Sequence, residues 1–123
     1  MADKTIADFF AGKSGHTIEL YEHFIAMFQT IGVIEVSAAK TMIGISNTHK
    51  RIAWITQFGR NFIHVVFPFN KPHPENLCFI KIAQVPGTEQ YNHHFRMLYK
   101  EDVNDEVMRF MQLAYDEKDR KIL

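Results

Sequence analysis

Apolar positions in the first third of the chain recur at three- and four-residue steps. Leu20, Phe24, Met27, Phe28 and Ile31 make one stripe, widened by Tyr21 and Ile25, which predicts a helix over 17–31. Gly32 then stands where a helix stop is expected. A shorter helical turn is predicted over 5–10, with Ile6, Phe9 and Phe10 on one edge, broken by Gly12-Lys13-Ser14-Gly15. From Val33 the period changes to two, predicting strands over 33–37, 41–47, 51–58, 62–67, 78–85 and 92–99. Their links carry turn residues: Asn47-Thr48-His49-Lys50, Gly59-Arg60-Asn61 and Pro86-Gly87. Links this short join antiparallel neighbours, and a meander is the simplest topology. Helical spacing returns over 102–119, where Val103, Val107, Phe110, Met111 and Ala114 form the stripe. Asp102 is the expected N-cap, with Asp105 and Glu106 in the first turn where the helix dipole favours them. The expected fold is one α+β domain over 1–123. Its antiparallel sheet of about five to six strands occupies 33–99, with N-terminal and C-terminal helices packed on one face.

Strand side chains alternate between two faces. Cys78, Ile80 and Ile82 share one parity, opposite Phe79, Lys81 and Ala83. His93, Phe95, Met97 and Tyr99 share one, opposite His94, Arg96 and Leu98. Ile63, Val65, Phe67 and Phe69 fall together, with His64, Phe62 and Val66 on the other side, and Trp54 shares parity with Ile52, Thr56 and Phe58. The central strands are thus apolar on both faces, more than a one-sided sheet needs. The second face is expected to be covered by a loop, another subunit or a ligand.

The 123 residues, 46% of them hydrophobic, suffice for a packed core rather than a disordered chain. The single cysteine, Cys78, has no intrachain partner, and the opening Met1-Ala2-Asp3-Lys4 is polar with no apolar leader after it. A cytoplasmic protein is the expectation. No apolar run approaches the roughly 18 residues of a span, so no membrane partner is expected. Lys plus Arg equal Asp plus Glu at 14 each, but the charges are unevenly placed. Residues 36–74 carry Lys40, Lys50, Arg51, Arg60 and Lys71 and no acid. Strand ends favour such residues, and so does a face that meets an anion.

The usual chemical signatures are missing. Lys13-Ser14 follows a glycine as in a phosphate-binding loop, but Ala7 stands where the earlier glycine belongs and no strand precedes it. There is no HExxH, CxxC, GxSxG or glycine-rich dinucleotide turn. Cys78 reads as an inert thiol at the start of an apolar strand. His16 and His23, two helical turns apart, cannot share a metal and read as a solvated helix face. His93 and His94 must point to opposite faces, whereas His64 meets His94 if their strands lie close. A metal there would need a third ligand, for instance from the loop around His73. Structural histidines explain the set, and no metal or other cofactor is expected. The residues with more chemical content are Lys40, Arg51, Arg60 and Arg96 with His64 and His94, and Trp54, Tyr91 and Phe62 as stacking groups. Cations interleaved with aromatics on a sheet suit a small anionic ligand or single-stranded nucleic acid. An isoelectric point near 7.1 weighs against nucleic acid.

The runs Val33-Ile34-Glu35-Val36, Lys40-Thr41-Met42-Ile43-Gly44-Ile45 and Gly59-Arg60-Asn61-Phe62 resemble a bacterial family of uncharacterised domains, DUF5655. Glu19-Leu20-Tyr21-Glu22, His93-His94-Phe95-Arg96, Asp102-Val103-Asn104-Asp105-Glu106 and Ala114-Tyr115 fit it too, so the resemblance covers about residues 6 to 117. It implies helices packed on an antiparallel sheet and no established activity, and it marks Lys40, Thr41, Arg60, His93, His94 and Arg96 as positions of interest. The leading expectation is a non-enzymatic binding or protein-interaction domain, with a homodimer through the sheet as one form. Binding of a small anionic ligand or nucleic acid on the basic sheet face is the alternative. An enzyme with a cryptic site ranks last, since no nucleophile and base can be named together.

Overall fold

The structure, a computed structural model, describes residues 4–117. Helix α1 spans Ile6–Phe10 and α2 spans Gly15–Gln29. Thr5 caps α1 in a reciprocal box with Asp8. Ser14 caps α2, its hydroxyl accepting the Thr17 N–H at 3.1 Å. The Gly12–Gly15 break is therefore a turn, with Gly12 at φ 74°, followed by a cap. Gly32 is not a left-handed stop: the described residues with positive φ are Gly12 and Gly87. Instead the Tyr115 ring packs so closely on Gly32 that a β-carbon there would collide with it, and the Tyr115 hydroxyl donates to Val33 O at 3.0 Å.

Six antiparallel strands follow: β1 (Glu35–Ala38), β2 (Ile43–Ser46), β3 (Arg51–Phe58), β4 (Ile63–Phe69), β5 (Lys81–Gln84) and β6 (Tyr91–Met97). Their order is β1-β2-β3-β4-β6-β5. The α+β class and the antiparallel sheet match expectation, but the meander does not. β4 and β6, each seven residues long, pair along their whole length and leave the four-residue β5 at the edge. Since β4 and β5 both run antiparallel to β6, their link must cross it. Residues 70–80 make that crossing on the helix side, where the Phe79 ring lies 4.8 Å from Phe110 and 6.4 Å from Phe67. Residues 78–80 are thus crossover rather than strand, and parity fails there. Phe79 joins the core, Cys78 sits half-buried in the loop, and Leu77 and Ile80 are 93% and 59% exposed.

β3 carries two register shifts, opposite Ile45/Ser46 and between Ile55 and Gln57. Each inserts a residue and flips the alternation after it. Ile52 and Phe58 therefore face the core, while Trp54, assigned to their parity from sequence, faces away. Helix α3 spans Asp105–Asp116 and is capped by Asn104, whose side chain accepts the Val107 N–H at 3.0 Å. Asp102, the expected cap, accepts the Leu98 and Tyr99 N–H groups at 2.8 and 2.9 Å and closes a short 3-10 turn. Residues 118 and 119 of the predicted helix lie outside the described residues.

All three α-helices of the described residues pack on one face of the sheet. Phe9 of α1 meets Phe58, Phe24 and Phe28 of α2 meet Phe67, and Phe110 of α3 meets Phe69. Each buried phenylalanine contributes about 1.5–3 kcal/mol relative to leaving it in water. Polar bonds align this packing. Thr17, fully buried, donates to Gly59 O at 2.8 Å, and Ser14 donates to Arg60 O at 2.7 Å, so the start of α2 is pinned to the β3–β4 hairpin. His16, one residue into the helix, bonds Leu98 O at 2.7 Å and ties α2 to the end of β6.

His93 also belongs to the core and is fully buried. Its Nδ1 donates to Tyr91 O at 2.7 Å and its Nε2 accepts the His73 N–H at 3.0 Å, so both nitrogens are used by the neutral ring. Phe69 and Phe79 flank it at 4.8 and 4.9 Å. Burial pushes its pKa down to about 4.

Two outcomes follow from these bonds. Thr17→Val removes a buried donor and leaves Gly59 O without a partner, so it should cost about 1–3 kcal/mol in a urea titration; an unchanged midpoint would contradict the pinning. For His93, the unfolded chain takes up a proton near 6.5 and the folded chain only near 4. Between those values the unfolded state binds more protons, so stability falls as the pH falls and levels off below about pH 4. The loss from this residue should be about 2–3 kcal/mol. His93→Gln should be less stable at pH 7 and lose less over the same window. Parallel pH profiles for the two proteins would count against a buried neutral His93.

Candidate functional site

The β4–β6 register places the remaining chemistry. His64 pairs with Arg96, Val66 with His94 and Phe67 with His93. Phe67 and His93 point to the helices, so alternation turns His64, Val66, His94 and Arg96 to the opposite face, which is helix-free among the described residues. There His64 and His94 are diagonal neighbours, with Nε2 of the first 2.9 Å from Nδ1 of the second. One ring must donate and the other accept, so a single proton lies between them in the neutral pair. The other nitrogen of His64, Nδ1, is buried without a hydrogen-bond partner.

Neighbouring strands extend this pair into a row across the sheet. Ser37 pairs with Gly44, Gly44 with Trp54, Trp54 with Val66, Val66 with His94, and His94 with Lys81. Gly44 lacks a β-carbon, and the Arg51 guanidinium occupies that space. Its Nε donates to Ser46 Oγ at 2.9 Å and its Nη2 to Ser37 Oγ at 3.4 Å. Arg96 is held over the Phe62 ring at 4.4 Å, a cation–π contact that fixes the charge beside His64. Among the described strands the one carboxylate is Glu35, on the far edge strand β1.

Electrostatics follow from this crowding of cations. The pKa of His64 is lowered by burial, then by His94 and Arg96. That of His94 is lowered by burial and by Lys81. Both are therefore biased toward the neutral form, and both would regain protons beside a negative charge.

The sequence-predicted set is brought together only in part. Arg51, Trp54, His64, His94 and Arg96 share the helix-free face. Lys40 is exposed in the β1–β2 turn, where its carbonyl accepts from Lys4 Nζ at 3.2 Å, four strands from His94. Arg60 sits in the β3–β4 hairpin and lines a cavity of about 420 Å³ with Gly12, Lys13 and Ser14. Tyr91 shares the face of His93 rather than that of Trp54, which removes it as a stacking group. Lys81 is absent from the sequence-based set. Its parity was readable, but not its pairing, since β5 and β6 are displaced from sequential order.

The remaining chemistry lies elsewhere. His73 stands beside His93 on the helix side, with ring centroids 5.3 Å apart, and burial and Lys71 lower its pKa. The two histidine pairs therefore occupy opposite faces, and the loop around His73 supplies no third ligand to His64 and His94. Among the described residues no group of three or more His, Cys, Asp or Glu is placed to hold a metal. Burial and the Glu106 carboxylate push the Cys78 thiol up to about 12, so it is protonated at neutral pH. No helix among the described residues is long and apolar enough to cross a membrane.

No curated protein and no solved structure matches the chain. Residues 6–118, from the first turn of α1 to just beyond α3, match the family described as "Domain of unknown function (DUF5655)", in agreement with the resemblance read from the motifs, and the chain belongs to that family.

Proposed function

We propose that this is a binding domain whose helix-free sheet face takes a small anionic ligand at His64 and His94. The observation that carries this reading is the 2.9 Å histidine pair with Arg96 and Lys81 beside it and no strand carboxylate nearer than the opposite edge. Arg96 and Lys81 supply fixed positive charge. The histidines supply charge that is added when an anion arrives. Catalysis is not part of the proposal: the site pairs no nucleophile with a base.

A homodimer through this face fits the electrostatics less well. It would set Arg51, Lys81 and Arg96 of one copy against the same groups of another, and like charges placed together at an interface cost several kcal/mol. A long polyanion such as nucleic acid meets a chain whose net charge is zero, with its acids concentrated in the flanking segments. A compact anion requires only the local cluster.

Pyrophosphate titrated by calorimetry at low ionic strength tests the proposal. Binding takes up protons, so affinity should rise as the pH falls from 8 to 6, by up to about tenfold per pH unit for each histidine that gains a proton. Arg96→Gln should weaken binding about tenfold or more, the worth of one charge-assisted hydrogen bond. Absence of binding at pH 6 and low salt, with the protein folded by circular dichroism, would overturn the reading.

A further inference from the structure

The anion cluster occupies only part of the helix-free face, and what adjoins it is apolar and aromatic. Trp54 on β3 pairs directly with Val66 on β4, which pairs with His94 on β6. Val66 is only 5% exposed although no helix of the described residues covers its face, because Trp54 and His94 flank it on either side. On the other flank of Trp54 there is no side chain from Gly44, and the Arg51 guanidinium fills the gap, anchored by Ser46 and Ser37. Arg51, Trp54 and Val66 thus make a floor three strands wide that ends at the histidine pair. A ligand that was only an anion would leave this floor unused.

We infer that the ligand is a mononucleotide, its base resting on Trp54 beside Arg51, its phosphate meeting His64, His94, Arg96 and Lys81. This rests on the anion-binding reading above and adds the ring. Adjacent strands lie about 4.8 Å apart, so the row from Trp54 to His94 spans about 10 Å, within reach of a nucleotide laid across the strands. Indole and guanidinium groups both stack on bases, which favours a flat ring over a sugar or an aliphatic chain. The same unit occurs in single-stranded nucleic acid. The free nucleotide is favoured because, among the described residues, the strand cations on the histidine side of this face end at Lys81 on the edge strand, short of a track for a second and third phosphate.

Trp54 is the single tryptophan of the chain, so its emission reports on this floor alone. The experiment titrates the full chain with AMP, ribose 5-phosphate, pyrophosphate and an eight-residue single-stranded oligonucleotide at pH 6.5 and low salt. Trp54 fluorescence and calorimetry are followed together. AMP should quench Trp54 and bind at least about fivefold more tightly than ribose 5-phosphate, the lower end of what one stacked base contributes. Trp54→Leu should bring AMP most of the way down to the affinity of ribose 5-phosphate, measured by calorimetry. AMP binding no tighter than ribose 5-phosphate, with pyrophosphate still bound, would overturn the nucleotide and leave the anion site standing. If none of the four binds, both readings fall. An oligonucleotide that binds more tightly than AMP would overturn the free nucleotide in favour of a nucleic-acid strand. The wild-type comparison decides the matter even if Trp54→Leu does not fold.

Discussion

The pairing of β4 with β6 governs the rest of the molecule. It runs from Ile63 opposite Met97 to Phe69 opposite Tyr91 without a register shift. With a side-chain period of two, that register separates His93 from His94 completely. One is sealed in the core by Phe69 and Phe79, and the other is turned to the helix-free face beside His64. A slip of one residue would bury His94 and Arg96 under the helices and expose Phe95 and Met97. The apolar residues Ile63, Val65, Phe67 and Phe69 that hold the register are thus also what positions the charged face.

Much of this was legible in the sequence because it depends on local periodicity. The start and end of β3, the existence of every strand, the caps' neighbourhoods and the opposite orientation of His93 and His94 all follow from the two- and 3.6-residue patterns. Less legible were features set by non-local pairing. Nothing in residues 70–80 announces that the chain will cross β6 before β5 forms, so the parity that groups Phe79 with Lys81 fails and the pairing of Lys81 with His94 stays hidden. The two register shifts in β3 are equally silent. They reverse the faces of Ile52 and Phe58 relative to Trp54, and only the partner strands reveal them. Gly32 shows a third kind of limit: its glycine is required by the Tyr115 ring arriving from the closing helix, not by the local turn.

The two histidine pairs show how one residue type is put to different use by its surroundings. His73 and His93 lie among aromatic rings, and His93 spends both its nitrogens on backbone partners. His64 and His94 share a bond with each other, border Arg96 and Lys81, and face away from the helices. Both pairs are held neutral, the first chiefly by burial and the second by burial and neighbouring cations. A negative charge reaching the second pair would remove part of that cost.

That difference is open to direct measurement. Imidazole carbon and nitrogen resonances of the histidines, recorded by NMR while phosphate is added at pH 6.5, report on each ring separately. An anion site at the sheet-face pair requires that His64 and His94 shift together toward the protonated form, while His73 and His93 stay fixed. Shifts at His73 and His93, or none at His64 and His94, would contradict it.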